Sequence, residues 1–157
     1  MNDIKLMNKA ADNIRILAAS MVEKAKSGHP GGAMGGADFV NVLFSEFLVY
    51  DPKNPAWEGR DRYFQDPGHM SPMLYSVLAL AGKFTIDELK EFRQWGSVTP
   101  GHPEVNVMRG IENTSGPLGQ GHTYAVGAAI AAKFLKARLG DHGKCADDGN
   151  EDGYGRD

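Results

Sequence analysis

The eight residues Thr114–Gly121, T-S-G-P-L-G-Q-G, limit what this chain can become more than any other stretch. An apolar run follows at once: Ala125, Val126, Ala128, Ala129, Ile130, Ala132, Phe134, Leu135. Glycine admits φ > 0 and lets another molecule come close to the main chain. Pro117 fixes its own φ and removes one donor. A glycine loop that ends where a helix begins leaves free N–H groups and the positive end of a dipole facing outward. Taken alone, such a loop is a tight turn before a helix. Three other loops share its composition and also carry histidine, so a built site becomes the stronger reading.

The chain has 157 residues, the size of one domain able to bury a real core. A formal charge of −3 supplies no basic stripe for nucleic acid. No apolar run approaches the roughly 18 residues of a membrane span, and M-N-D-I-K lacks a signal peptide's apolar segment. The single cysteine, Cys145, excludes an internal disulfide and fits a reducing cytoplasm. The 20 glycines are the oddity, because many sit in loops beside His and Pro.

Residues 3–26 predict an amphipathic helix with Ile4, Met7, Ala11, Ile14, Leu17, Ala18, Met21 and Val22 on its apolar face, Asp3 as cap and Gly28 at its end. In S-G-H-P-G-G-A-M-G-G the chain turns sharply at His29, and Pro30 opens a second helix. Its expected buried side is Phe39, Val40, Leu43, Phe44 and Phe47, and D-P-K-N-P ends it near 50–52. A polar loop over 51–62 precedes a short strand at Tyr63–Gln65. Met73–Ala81 reads as an apolar helix stopped by Gly82, and T-I-D-E at 85–88 as a capping box. Residues 94–118 show no period, which inside a domain points to a functional loop. Residues 121–139 form the last helix. The polar stretch 140–157 has no apolar face and is expected to be disordered.

His29, His69, His102 and His122 all fall in or beside Gly/Pro turns. Imidazole moves protons near neutral pH and hydrogen-bonds hydroxyls and phosphates. Singly, each reads as an ordinary loop histidine. The first three are 40 and 33 residues apart, which matches no local zinc motif. G-G-A-M-G-G is no dinucleotide fingerprint, since no strand precedes it and no Walker lysine follows. Met21, Met34, Met70 and Met73 read as core filler. Asp147–Asn150 reads as a solvated acidic run, and Arg60, Asp61 and Arg62 as a surface or hinge ion-pair cluster.

Four motifs together are more specific. S-G-H-P-G-G (27–32), R-D-R…G-H-M-S (60–71), T-P-G-H-P-E (99–104) and S-G-P-L-G-Q-G (115–121) occur in the order seen in transketolases. Over residues 1–139 the chain resembles the N-terminal part of that family's diphosphate-binding domain. The resemblance implies an incomplete α/β fold of the thiamine diphosphate-binding, transketolase type, helix-rich with few parallel strands. It implies thiamine diphosphate with Mg2+ or Ca2+, sugar phosphate substrates, and transfer of a two-carbon ketol unit from a ketose phosphate to an aldose phosphate. It implies a cytoplasmic homo-oligomer, with no nucleic acid and no membrane partner. Carried over by motif, His29, His69 and His102 are the expected catalytic residues. His29 would contact sugar hydroxyls and assist proton transfer. His69 would lie by the diphosphate and the donor's end hydroxyl, and His102 would bind that donor end. Gly116, Pro117 and Leu118 would line the cofactor, with a main-chain carbonyl facing the aminopyrimidine and Leu118 against the rings.

The departures are as informative. His122 stands where many relatives carry an apolar residue, so no role transfers to it. Q-D-P-G-H replaces a more usual apolar-Ser-Lys/Asn-G-H while keeping the histidine. After Leu139 the family's apolar strand, acidic metal loop and later asparagine are not recognisable, and no metal ligand is expected here. The family's pyrimidine-binding domain and its glutamate are likewise not recognisable in these 157 residues, and the tail reads like a frameshifted or prematurely stopped frame. The chain alone is therefore expected to be inactive. Its alternatives are a non-catalytic interaction fragment docking on a complete subunit, or one subunit of a split enzyme. The synthase that makes deoxyxylulose phosphate is a poorer match, because T-P-G-H-P-E is followed by G-P-L-G-Q-G.

Overall fold

A computed structural model describes residues 2–139. The predicted disorder of 140–157 lies outside the described residues. Two bodies divide the chain, residues 1–125 and residues from 126 onward. The first holds the core.

Helix α1 (Ile4–Ala25) begins as its sequence predicts. Asp3 Oδ1 accepts from the N–H groups of Lys5 (2.7 Å) and Leu6 (3.1 Å). Ala11, Ile14, Ala18 and Met21 form the buried stripe, while Ile4 is exposed. The helix ends at Ala25, one residue short of the expected bound, and its left-handed cap is Lys26 and not Gly28. Lys26 takes the left-handed conformation (φ 49°), and Gly28 bends the chain two residues later (φ 140°). A Cβ there would stand 2.9 Å from a Val22 methyl carbon, so this turn needs glycine for space as well as for φ.

The predicted second helix is three pieces: α2 (Pro30–Gly35), α3 (Ala37–Val42) and a π turn at Leu43–Phe47. Breaks in phase explain the corrected apolar face. Val40 and Phe44 are buried, Leu43 is intermediate, and Phe39 and Phe47 are exposed. Gly32 of α2 and Gly36 just after it serve close packing, whereas a Cβ at Gly31 or Gly35 would meet nothing within 4 Å. A Cβ at Gly32 would meet Met70 Cγ and Sδ at 2.9 Å, and one at Gly36 would meet Met73 Sδ at 2.6 Å. Met21, Met70 and Met73 do pack in or against the core, whereas Met34 is exposed.

Helix α4 (Ser71–Leu80) is the centre of this body, with Ser71 through Leu78 all buried. α1 packs against α2, α3, α4 and the short α5 (Ile86–Lys90). Tyr75 of α4 stacks between Phe84 (5.4 Å) and Phe92 (6.3 Å between ring centroids). Both halves of the capping box form: Thr85 N–H donates to Glu88 Oε2 (2.8 Å), and Glu88 N–H to Thr85 Oγ1 (3.2 Å).

Two expectations fail for the same reason, partners distant in sequence. No strand occurs among the described residues, where the one ladder-type pair is an isolated bridge, Asn106–Ile111. At the predicted strand Tyr63–Gln65, the Asn113 side chain serves as neighbour. It accepts from Gln65 N–H (2.9 Å) and donates to Gln65 C=O (3.2 Å). Arg60, Asp61 and Arg62 do not form one cluster either. Arg60 pairs in bidentate fashion with Glu112 (2.7 and 3.1 Å), with the two side chains only 8% and 10% exposed. Asp61 exchanges hydrogen bonds with Val49, and Arg62 faces Glu58.

Helix α6 (Gln120–Leu139) begins in the first body. Its outer part belongs to the second, where Val126, Ile130, Phe134, Leu135 and Leu139 are exposed.

Candidate active site at the histidine turns

Each of the three carried-over histidines is held by a turn feeding or flanking a helix. His29 is the residue before Pro30, the first residue of α2. His69 sits in the short 3-10 turn Gly68–Met70 that leads into α4. His102 lies between Gly101 and Pro103 in the aperiodic region. That region is tied to α4, because Ser71 Oγ donates to Gly101 O (2.7 Å) and Tyr75 OH to Pro100 O (2.8 Å).

The turns converge. The His29 and His69 rings are 4.6 Å apart at 44°. A Cβ at Gly68 would stand 2.4 Å from Ser115 O and 3.2 Å from His102 Cδ2. Thus the His69 turn, His102 and the loop Ser115–Gly116 touch, and only glycine at 68 lets them. Gly116 differs: its nearest neighbour is His102 Cγ, 4.0 Å from where a Cβ would stand. Nothing in the fold forces glycine at 116, and the space beside it faces an imidazole. Pro117 is exposed and Leu118 is 74% exposed.

Electrostatics single out His102. Desolvation holds its imidazole below the ordinary histidine value, and the charges of Arg93, His69 and His29 act in the same direction. Arg93 joins the site from outside the four motifs. It has a left-handed backbone (φ 62°), and its Nη1 donates to Ser27 Oγ (2.9 Å), two residues before His29. Its guanidinium fills the place a Cβ at Gly101 would take, with Nε 2.8 Å away. Arg93 therefore braces the His29 turn against the His102 turn. No period or motif marks it. An open cleft of about 780 Å³ runs past Ser27, Arg93, Trp95, His102 and Glu104. Among the described residues two buried polar side-chain atoms lack a hydrogen-bond partner, Arg93 Nε and Ser115 Oγ, and both belong to segments of this site. Among those residues no group of three or more His, Cys, Asp or Glu is placed to hold a metal ion, and no helix is long and apolar enough to cross a membrane.

His122, to which no role transfers, is not with the other three. Its Nδ1 lies 2.9 Å from Asp66 Oδ2.

Comparison with known proteins gives the family. Transketolase 1 of Escherichia coli K12 is 52% identical over 130 residues, 82% of this chain and 20% of its own length. The transketolase structure from Leishmania mexicana superposes with a TM-score of 0.80 at 49% identity, over 84% of this chain and 20% of that one. A Pichia stipitis transketolase in complex with sedoheptulose 7-phosphate gives 0.79 at 44% identity, over 83% and 19%. The chain thus spans about a fifth of the length of these relatives. The family described as "Transketolase, thiamine diphosphate binding domain" matches residues 6–149. With that match covering most of the sequence, the chain belongs to the transketolase thiamine diphosphate-binding domain family.

Proposed function

We propose that this chain carries the donor-recognition side of a ketol-transfer site, and that it does not turn over by itself. The observation that carries this reading is the convergence of the His29, His69 and His102 turns, with His102 beside Gly116, where a Cβ would meet only His102 Cγ at 4.0 Å. That opening, with the unpartnered Ser115 Oγ beside it, fits an organic guest resting against main chain. Gly116, Pro117, Leu118 and His69 would hold thiamine diphosphate. When bound, that cofactor supplies an electron sink for the two-carbon unit being moved. The divalent ion implied by the family finds no ligand set among the described residues.

His102 is kept neutral by its surroundings, so it can accept or donate a hydrogen bond to a sugar hydroxyl without bringing charge. His29 and His69, with adjacent rings, can contact neighbouring hydroxyls of one substrate and pass a proton at a ring nitrogen. The bracing by Ser71, Tyr75 and Arg93 keeps the His102 turn oriented before substrate arrives, which lowers the entropic cost of reaction. Substrates of the sugar phosphate class follow from the Pichia complex. A cytoplasmic setting, Mg2+ or Ca2+, and assembly with itself or with a chain supplying further domains complete the reading.

A graft tests it. Residues 1–139 replace the matching segment of Escherichia coli transketolase 1. The chimera is expected to transfer ketol units, and His102→Ala in it to lose most of kcat/KM. A folded, dimeric but inactive chimera overturns the assignment. The 157-residue chain alone is expected to give no turnover with cofactor and Mg2+. A second reading, docking onto a complete subunit without catalysis, is favoured by the exposed apolar residues of outer α6. Size-exclusion chromatography with a complete transketolase decides it, since absence of a complex at micromolar concentration eliminates it.

A further inference from the structure

The two positions at which the motifs depart from the family pattern lie against each other. Asp66, from Q-D-P-G-H, has its carboxylate only 5% exposed. A buried carboxylate is costly unless it is hydrogen-bonded. Its partners all come from the far end of the glycine loop, 53 and more residues away. Gly119 N–H reaches both oxygens (3.2 and 3.1 Å), and His122 Nδ1 reaches Oδ2 (2.9 Å). Gly119 presents its N–H from the left-handed region (φ 87°), where glycine is favoured. Gly121 permits the approach, because a Cβ there would stand 2.5 Å from both Asp66 Cβ and Gln65 O.

We propose that Asp66 is a positioning residue, with His122 as its accessory, that clamps the glycine loop onto the segment carrying His69. The loop then has two fixed ends. Ser115 is held by its N–H on Pro103 O (3.2 Å) and by its carbonyl against Gly68. Gly119 is held by Asp66. Gly116, Pro117 and Leu118 are the short span between these two fixed ends. The Gly119 contact is charge-assisted and carries most of the effect. The His122 side chain is 79% exposed, so its pairing contributes little by itself and serves mainly to occupy the second face of the carboxylate. The consequence for cofactor binding rests on the proposed function, whereas the clamp does not.

The test separates the two. The 157-residue chain is labelled with 15N-glycine and its amide exchange is followed by NMR. In Asp66→Ala, Gly119 exchange is expected to accelerate roughly tenfold or more, as for loss of a hydrogen bond to a charged group, and the Gly116 cross-peak to move. Asp66→Asn retains an acceptor oxygen and gives a smaller acceleration with the fold intact, so it keeps the test open should the alanine variant fail to fold. His122→Gln is expected to change Gly119 exchange less than either. Unchanged Gly119 exchange in the asparagine and alanine variants overturns the clamp, as does altered Gly119 with an unmoved Gly116. In the grafted full-length chimera, Asp66→Asn is expected to raise the Kd for thiamine diphosphate several-fold, read by quenching of protein fluorescence. A moved loop with unchanged Kd leaves the clamp standing and removes the cofactor from it.

Discussion

Two alanine substitutions at glycines of the same site should behave oppositely. At Gly68 the added Cβ would lie 2.4 Å from Ser115 O and 2.8 Å from Ser115 C, both backbone atoms. Ordinary contact begins near 3.4 Å, so about 1 Å of backbone displacement is required between the His69 turn and the glycine loop. Ser115 cannot yield freely, because its N–H is bonded to Pro103 O (3.2 Å). Overpacking of this kind costs about 1–3 kcal/mol. At about 2–4 °C per kcal/mol for a domain of this size, Gly68→Ala should lower Tm by roughly 3–10 °C. At Gly116 the nearest atom is His102 Cγ at 4.0 Å, an ordinary contact. Alanine also restricts the unfolded chain, which favours folding by about 0.4–1 kcal/mol where the native backbone accepts it. Gly116→Ala should therefore melt at the parent's Tm or up to about 4 °C above it. Far-UV circular dichroism melts of the three chains give the comparison. Equal Tm for Gly68→Ala and parent, or a loss at Gly116 as large as at Gly68, would refute the packing argument. In the chimera the order should reverse for cofactor affinity per unit of stability lost, since at Gly116 the methyl group enters space the fold leaves free.

Two pH-linked outcomes follow from the charges. Burial is the main cause depressing His102 and the nearby Arg93 charge adds to it, so in Arg93→Met its titration, read from imidazole carbon-bound proton shifts by NMR, should move up without passing the ordinary value of 6.5; no movement would contradict the bracing geometry. Because folded His102 resists a proton that the unfolded chain accepts, its contribution makes stability fall as pH drops below about 6.5, and Arg93→Met should soften that fall. Glu88 is held down to about 2, first by its hydrogen bond from Arg109 (2.7 Å) and then by Thr85 N–H. Its stabilisation is complete above its unfolded value of 4.5 and is lost as pH falls toward 2, so Arg109→Leu should shift the acid-unfolding midpoint upward in pH; an unshifted midpoint would remove Arg109 as the cause.

Local physics made much of this fold readable. The stripe Ala11, Ile14, Ala18, Met21 and the Asp3 cap are set by residues within a few positions of each other. The capping box at Thr85 and the onset of α6 after the glycine loop are equally local. The failures share one cause. Asn113 completes the hydrogen bonds of Gln65 from 48 residues away, and Glu112 neutralises Arg60 from 52 residues away. No window along the chain contains both partners. The break at Gly36 sits under Met70 and Met73, which come from more than 30 residues away, and Phe39 and Phe47 end up exposed. At the site, the histidines were visible because each has its own Gly/Pro turn. Arg93 carries no such mark, and Asp66 stands out only as a departure from the motif, since the partners of both lie across tertiary distance.

The charge balance of the hollow bears on what this chain can contribute. A diphosphate demands cationic partners or many aligned N–H donors. His102 is kept from carrying charge, and Arg93 spends its Nη1 on Ser27 and lies against Gly101. The loop's Gly119 N–H, which an anion could use, is already taken by Asp66. These groups therefore suit hydroxyls and proton movement better than phosphate charge. Under the proposed reading the chain fixes the donor sugar, while most of the electrostatic grip on the diphosphate must come from a metal ion with ligands beyond the described residues. It follows that in the graft His102→Ala should fall mainly on sugar recognition and turnover, with a much smaller change in the Kd for thiamine diphosphate. An equal loss in both would mean that the hollow binds charge after all, and the division of labour argued for this chain would be wrong.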